Sequence, residues 1–185
     1  QAVFVFDAVR GELQVWEQAD GVLRFVAPGG LAPAPGGGVY VADAELGFVA
    51  RLDATGQARA VIGRGVLRRP TGLARDAATG RIYVADPAAH DIKGFDDAGT
   101  LLETLGRRGE APGEFNFPTH LAFAAGRLVV ADTLNQRVQL RGPDGAWQVI
   151  GRRGLVVGNL VRPKGVALET LDELRRCFDA GGGEE

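Results

Sequence analysis

The side chains able to do chemistry are few and widely spaced. The chain holds two histidines, His90 and His120, and one cysteine, Cys177. No His-x-x-x-His, Cys-x-x-Cys or Asp-x-Asp-x-Asp spacing brings metal ligands together locally. A Gly-x-Ser-x-Gly nucleophile elbow is absent, and hydroxyl nucleophiles are scarce. The lone cysteine rules out an internal disulfide and leaves the redox compartment open. Three aspartates, Asp43, Asp86 and Asp132, invite attention because each closes a similar apolar run. Arginines are the asymmetric signal: 19 stand against two lysines, with Arg64, Arg68, Arg69, Arg107, Arg108, Arg152, Arg153 and Arg162 crowded into three stretches. A guanidinium array of this kind pairs bidentately with phosphate, carboxylate or an acidic partner.

The elements that position these residues are repeated. A short phrase, Pro-x-(Gly/His)-(Leu/Val)-Ala, begins at Pro28, Pro70, Pro118 and Pro163. After each of the first three comes an alternating run ending in Ala-Asp: VYVAD to Asp43, IYVAD to Asp86 and LVVAD to Asp132. A further run, VFVFD, ends at Asp7, and the four aspartates lie 36, 43 and 46 residues apart. From Asp43, Asp86 and Asp132 it is 13 residues to the turn glycines Gly56, Gly99 and Gly145. Several strand patterns within a period of this length are the mark of propeller blades.

Each period reads as four short strands, a to d. In the second full repeat they cover 72–75, 81–86, 91–95 and 100–105, with turns rich in Gly, Pro, Asp or Asn between them. Strand b is apolar nearly throughout, as for a strand covered on both faces. Strand c alternates, clearest in Arg137-Val138-Gln139-Leu140, which predicts a more peripheral place. The fold class is therefore all-β, a propeller of four-stranded antiparallel blades. Residues 1–27 supply b, c and d of one blade; 28–62, 63–105 and 106–150 supply whole blades; 151–168 supply only a strand a. About four blades' worth results, and pairing the last a strand with the first b strand would close a ring and remove exposed edges.

Composition agrees with a globular protein: 45% of residues are hydrophobic, 24% are charged, and the formal net charge is −2. That balance gives no general field for nucleic acid or membrane. No apolar run approaches the roughly 18 residues of a membrane helix. The absence of methionine and the direct entry of Gln1 into a strand pattern suggest a processed or truncated start. After Ala167 the repeat gives way to a tail, 169–185. Thr170 and Glu173 form a capping box there, Leu171, Leu174 and Phe178 share a face, and a short C-terminal helix over about 171–179 is expected, followed by disorder. Arg175-Arg176 sits where the repeat calls for apolar residues, so the tail reads as a truncated end or a reading-frame artefact.

The unit P-x-G-(L/V)-A, (I/L)-(Y/V)-V-A-D, Asn135-Gln136-Arg137-Val138-Gln139, a turn glycine and then I-G-R-R-G resembles the NHL repeat. Residues 107–145 carry its fullest version, and the likeness spans about 1–168. Leu46-Gly47-Phe48 and Ala89-His90-Asp91 depart from the Asn-x-Arg element. The resemblance implies a six-bladed propeller of which this chain is about two thirds. It implies a non-catalytic scaffold that binds a protein, peptide or acidic ligand on its loop-bearing face, with no cofactor. Similar bacterial NHL proteins are often exported, so an exported or periplasmic location is the family's expectation; compartment and oligomeric state are otherwise open.

On this scaffold the arginines fall in d-to-a loops, which share a face with the b-to-c turns. Arg64, Arg68, Arg69, Arg107, Arg108, Arg152, Arg153 and Asn135 are the candidate partner-binding residues. The alternative is that such arginines pair with the repeat aspartates or blade carbonyls and hold neighbouring blades together. Nucleic acid is disfavoured because only Phe115 and Phe117 interleave with the arginines, and packing explains both. The aspartates read as structural, capping the b-to-c turn by accepting backbone N–H bonds. His120 replaces the glycine of its phrase on strand a, the strand that lines a propeller's channel. It could ligate a metal or act as a general base in a lyase or lactonase type of enzyme, the alternative function. With no second ligand visible, a histidine bonded to neighbouring backbone is the preferred reading. His90, in a b-to-c turn, reads as solvated.

Overall fold

The computed structural model describes residues 3–7, 12–16, 18–19, 23–151 and 160–168, with side chains from residue 24 onward. The strands in chain order are β1 (Val3–Asp7), β2 (Glu12–Trp16), β3 (Gln18–Ala19), β4 (Leu23–Arg24), β5 (Pro28–Pro33), β6 (Val39–Asp43), β7 (Phe48–Leu52), β8 (Ala58–Ile62), β9 (Leu73–Arg75), β10 (Ile82–Asp86), β11 (Asp91–Phe95), β12 (Leu101–Leu105), β13 (Pro118–Ala124), β14 (Arg127–Asp132), β15 (Arg137–Arg141) and β16 (Trp147–Ile150). Strands β5–β8, β9–β12 and β13–β16 form three four-stranded sheets, each an antiparallel meander in sequence order. These are blades 1, 2 and 3, and the strands of blade 2 lie within one residue of the spans expected from its pattern.

Adjacent blades meet face to face. Between blades 1 and 2, Tyr40, Ala42, Val49 and Ile62 pack against Leu73, Ile82, Val84 and Phe95. Between blades 2 and 3, Tyr83, Ala85 and Ile92 pack against Phe115, Leu121, Leu128 and Val130. Tyr83 stacks on Phe123 with ring centroids 5.4 Å apart, and Phe115 meets Trp147 edge-on at 5.3 Å. Each fully buried aliphatic or aromatic side chain of this kind stabilises by about 1.5–3 kcal/mol, so these interfaces hold the blades in register.

The inner strands approach closely because the phrase supplies glycine there. A Cβ on Gly30 would lie 1.7 Å from the Thr71 carbonyl oxygen. One on Gly72 would lie 2.7 Å from both the Thr119 carbonyl oxygen and the His120 Cα. The Thr71 hydroxyl donates to the Thr119 carbonyl at 3.0 Å, and the Thr133 hydroxyl to the Pro163 carbonyl at 2.8 Å. The fourth phrase thus starts beside blade 3, but residues 163–168 form no strand, so the strand a expected there is not seen.

Several expectations are corrected. Strand c is not peripheral in blades 1 and 2, where β7 and β11 are almost wholly buried. The exposed strand is d, as in β12 and β16, because it is the last rung of each meander. The N-terminal strands form two separate pairs, β1 with β2 and β3 with β4. No ladder among the described residues joins 163–168 to β1, so the proposed ring closure is not seen. The expected C-terminal helix lies outside the described residues; among those described, the only helical turn is a 3-10 turn at Pro35–Gly37.

Candidate functional site

The repeat aspartates Asp43, Asp86 and Asp132 organise one end of blades 1, 2 and 3. Each stands at the last position of strand b and is fully buried. The Asp43 carboxylate accepts the Val26 N–H at 2.7 Å, the Ala27 N–H at 3.0 Å, the Glu45 N–H at 3.1 Å and the Leu46 N–H at 3.0 Å. It therefore caps the b-to-c turn, as the sequence reading holds, and also ties down the d-to-a connection. Asp86 takes the Arg68 N–H at 2.8 Å and the Arg69 N–H at 3.0 Å, and the buried ammonium of Lys93 stands 3.6 Å away. These bonds bring d-to-a loops and b-to-c turns onto one face.

Blade 3 fills the same position with side chains. Asp132 accepts the Asn116 N–H at 2.7 Å with one oxygen. Its other oxygen receives the Asn135 amide at 2.8 Å, Arg137 Nε at 2.8 Å and Gln139 Nε2 at 3.1 Å. Arg137 also donates to the carbonyls of Glu110, Ala111 and Glu114, and Gln139 bonds the Glu114 carbonyl and the Gly113 N–H. The Asn-x-Arg-x-Gln element thus pins the long 106–117 loop from beneath. In blade 1 the corresponding positions are Leu46, Phe48 and Ala50, and a three-residue connection between β4 and β5 needs no such support.

The arginines of the face have different fates. Arg107 pairs with Glu114 at 2.8 Å, and the Glu114 carboxyl is held below its ordinary range by the Ala111 N–H first and Arg107 second. Arg64 stacks over the Phe48 ring with its guanidinium carbon 4.8 Å from the centroid. Arg69 stands 3.8 Å from Glu45 with both side chains more than half exposed, a contact of little energy. Arg68 and Arg108 are exposed and make no ion pair among the described residues. The arginine that binds a repeat aspartate is the buried Arg137, so the pairing alternative does not account for the exposed ones. Asn135 donates its amide to the Gly109 carbonyl and Asp132, which makes it an anchor of the loop. It also borders, with Glu110, Asn116, Leu134 and Arg137, a hollow of about 320 Å³ on this face. Arg152 and Arg153 lie outside the described residues.

The histidines are both corrected. His90 is half-buried and not simply solvated: its Nδ1 accepts the Phe117 N–H at 3.2 Å, which links blade 2 to the loop before blade 3. The contact was hidden because the partner lies 27 residues away in sequence. The His120 side chain is exposed on β13 and makes no hydrogen bond among the described residues, so the backbone-bonded reading does not hold. No group of three His, Cys, Asp or Glu side chains among the described residues is arranged to hold a metal ion. At the far end of the inner strands a hollow of about 310 Å³ is lined by Leu31, Leu73, Arg75, Leu121 and Phe123 among others.

No protein-family model matches the chain. Solved structures do. An inactive virginiamycin B lyase from Staphylococcus aureus, in complex with quinupristin, superposes with a TM-score of 0.64 at 11% identity, covering 90% of this chain and 53% of that one. A chain of a nidogen/laminin complex gives 0.67 at 17% identity, covering 90% and 59%. A Bacteroides thetaiotaomicron protein of unknown function gives 0.69 at 12% identity, covering 90% and 48%. The fold is a β-propeller, and this chain spans about half the length of the structures it matches. No helix among the described residues is long and apolar enough to cross a membrane.

Proposed function

We propose that this chain is part of a six-bladed NHL-type propeller that acts as a scaffold and binds an acidic protein or peptide on the face formed by its d-to-a loops and b-to-c turns. One observation carries the reading. The repeat carboxylates of this face, Asp43, Asp86 and Asp132, are satisfied inside the fold, while Arg64, Arg68, Arg69, Arg107 and Arg108 remain exposed around them. Arg107 is paired with Glu114 and Arg69 lies near the exposed Glu45, but Arg64, Arg68 and Arg108 make no ion pair among the described residues, and guanidinium groups bind carboxylates through paired N–H donors. Arg152, Arg153 and Asn135 complete the proposed set, with Asn135 supporting the loop that bears Arg107 and Arg108.

A labelled 12-residue polyglutamate peptide, followed by fluorescence anisotropy at several salt concentrations, tests this. Binding should weaken with salt and fall at least tenfold when Arg64, Arg68, Arg69 and Arg108 are changed to Glu, with the thermal melting curve kept. Unchanged affinity in the folded variant refutes the choice of face. Metal analysis of dialysed protein tests the competing enzyme reading: one equivalent of a divalent ion that disappears in His120→Ala would favour channel chemistry instead.

A further inference from the structure

The two residues before each phrase proline come at the same point of the repeat, at the mouth formed by the inner-strand ends that lie level with the repeat aspartates. They are Val26-Ala27, Arg68-Arg69, Asn116-Phe117 and Val161-Arg162. Their backbone is fixed by the buried aspartates: Asp43 holds both N–H groups of the first pair, Asp86 both of the second, and Asp132 the first of the third. Side chains at these places are therefore free to differ from blade to blade on a constant frame. They differ widely: Val26 is 49% exposed, Val161 is 56% exposed, and Arg68, Arg69 and Arg162 are exposed as well. The close approach of Gly30 to Thr71 and of Gly72 to Thr119 sets successive pairs side by side around the mouth.

The third and fourth pairs show a second peculiarity at the same place. Phe117 and Arg162 have positive φ values of 61° and 49°. A bulky residue in this left-handed region, directly before proline, is an uncommon and costly conformation. For Phe117 the cause is visible. Three side chains engage the second oxygen of Asp132, so the Phe117 N–H turns to His90 Nδ1 of the neighbouring blade. The strain is thus held by a built contact between blades, at the mouth and not in a remote turn.

We infer that the pre-proline pairs form the recognition ring of this face, with Arg68, Arg69 and Arg162 taking carboxylates and Val26, Val161 and Phe117 taking apolar side chains of one acidic, Leu-bearing peptide segment. This rests on the acidic-partner reading and narrows it from the whole face to the ring. The apolar part is what distinguishes the ring from the outer arginines Arg64 and Arg107.

The test uses two labelled 12-residue peptides, one all glutamate and one in which every third residue is leucine, against the whole chain. The leucine peptide should bind about tenfold more tightly, the gain expected from burying one aliphatic side chain. Val26→Ser with Val161→Ser should erase that gain and leave the all-glutamate affinity unchanged; Val26→Thr with Val161→Thr, closer in shape, guards against misfolding. Arg68→Glu, Arg69→Glu and Arg162→Glu together should weaken both peptides more than Arg64→Glu with Arg107→Glu. Equal affinity for the two peptides, or loss only in the outer variant, overturns the ring and leaves the face. Failure of both peptides to bind removes the acidic-partner reading itself. Tighter binding of a labelled dT12 oligonucleotide than of either peptide replaces the peptide with single-stranded nucleic acid and overturns the inference.

Discussion

Replacing Asp43 by alanine should be among the most damaging single changes in the chain. The carboxylate is fully buried and accepts four backbone N–H groups, from Val26, Ala27, Glu45 and Leu46, at 2.7–3.1 Å. Removing it leaves four donors to find water in a site that the tight d-to-a connection closes. A hydrogen bond to a charged group contributes about 1.5–3 kcal/mol, and a buried donor left unpaired costs about 1–3 kcal/mol. The four bonds share one carboxylate and their donors are only partly buried, so a simple sum overestimates the loss. A net destabilisation of about 3–5 kcal/mol is the expectation, against a total stability of about 5–15 kcal/mol for an ordinary domain. Urea unfolding followed by Trp fluorescence, with Asp43→Asn as the near-isosteric partner, measures it. Asparagine keeps the shape but turns an amide NH2 toward backbone donors, and it should recover less than half of the loss. A change below about 1 kcal/mol for Asp43→Ala would refute the view that the repeat aspartates hold the loops of this face.

Three further outcomes follow from local geometry. Gly30→Ala should destabilise strongly because its Cβ would stand 1.7 Å from the Thr71 carbonyl oxygen, whereas Gly29→Ala meets nothing within 4 Å and should be near neutral; paired thermal melts compare them. Tyr40, pushed above the ordinary tyrosine value by burial first and by its 2.6 Å bond to Asp97 second, should give a late step in an ultraviolet pH titration that Tyr40→Phe removes. Its folded-state value is raised, so its contribution to stability is full below the unfolded value of about 10 and is lost as pH rises through the folded one. Glu114 is depressed, so its contribution is present above the unfolded value and lost as pH falls through the folded one. Arg107→Gln should relax the Glu114 titration, read by NMR, only in part, because the Ala111 N–H is the larger cause and stays in place.

The blades were legible in the sequence because their determinants are local. Alternation over five residues, a turn glycine 13 residues after each aspartate and the four-stranded period place β9 to β12 within one residue of their observed spans. The structural role of the aspartates was legible for a related reason: a polar residue repeated at the end of every buried strand has to satisfy something common to every blade. What the tertiary structure decided is which groups those are. The donors to Asp86 lie 17 and 18 residues away, and the carbonyls that Arg137 satisfies lie 23 to 27 residues away, across a loop with no periodic signal of its own. His90 illustrates the same limit: it sits in a turn that looks solvated, and only the packing of blade 2 against the next loop brings the Phe117 N–H to its ring. The arginines are plain in composition, but their division into Arg137 within the fold and Arg68 on the surface depends on burial. Local sequence can specify a strand's period; a buried charge finds its partner only when the blades close on one another and remove water from both.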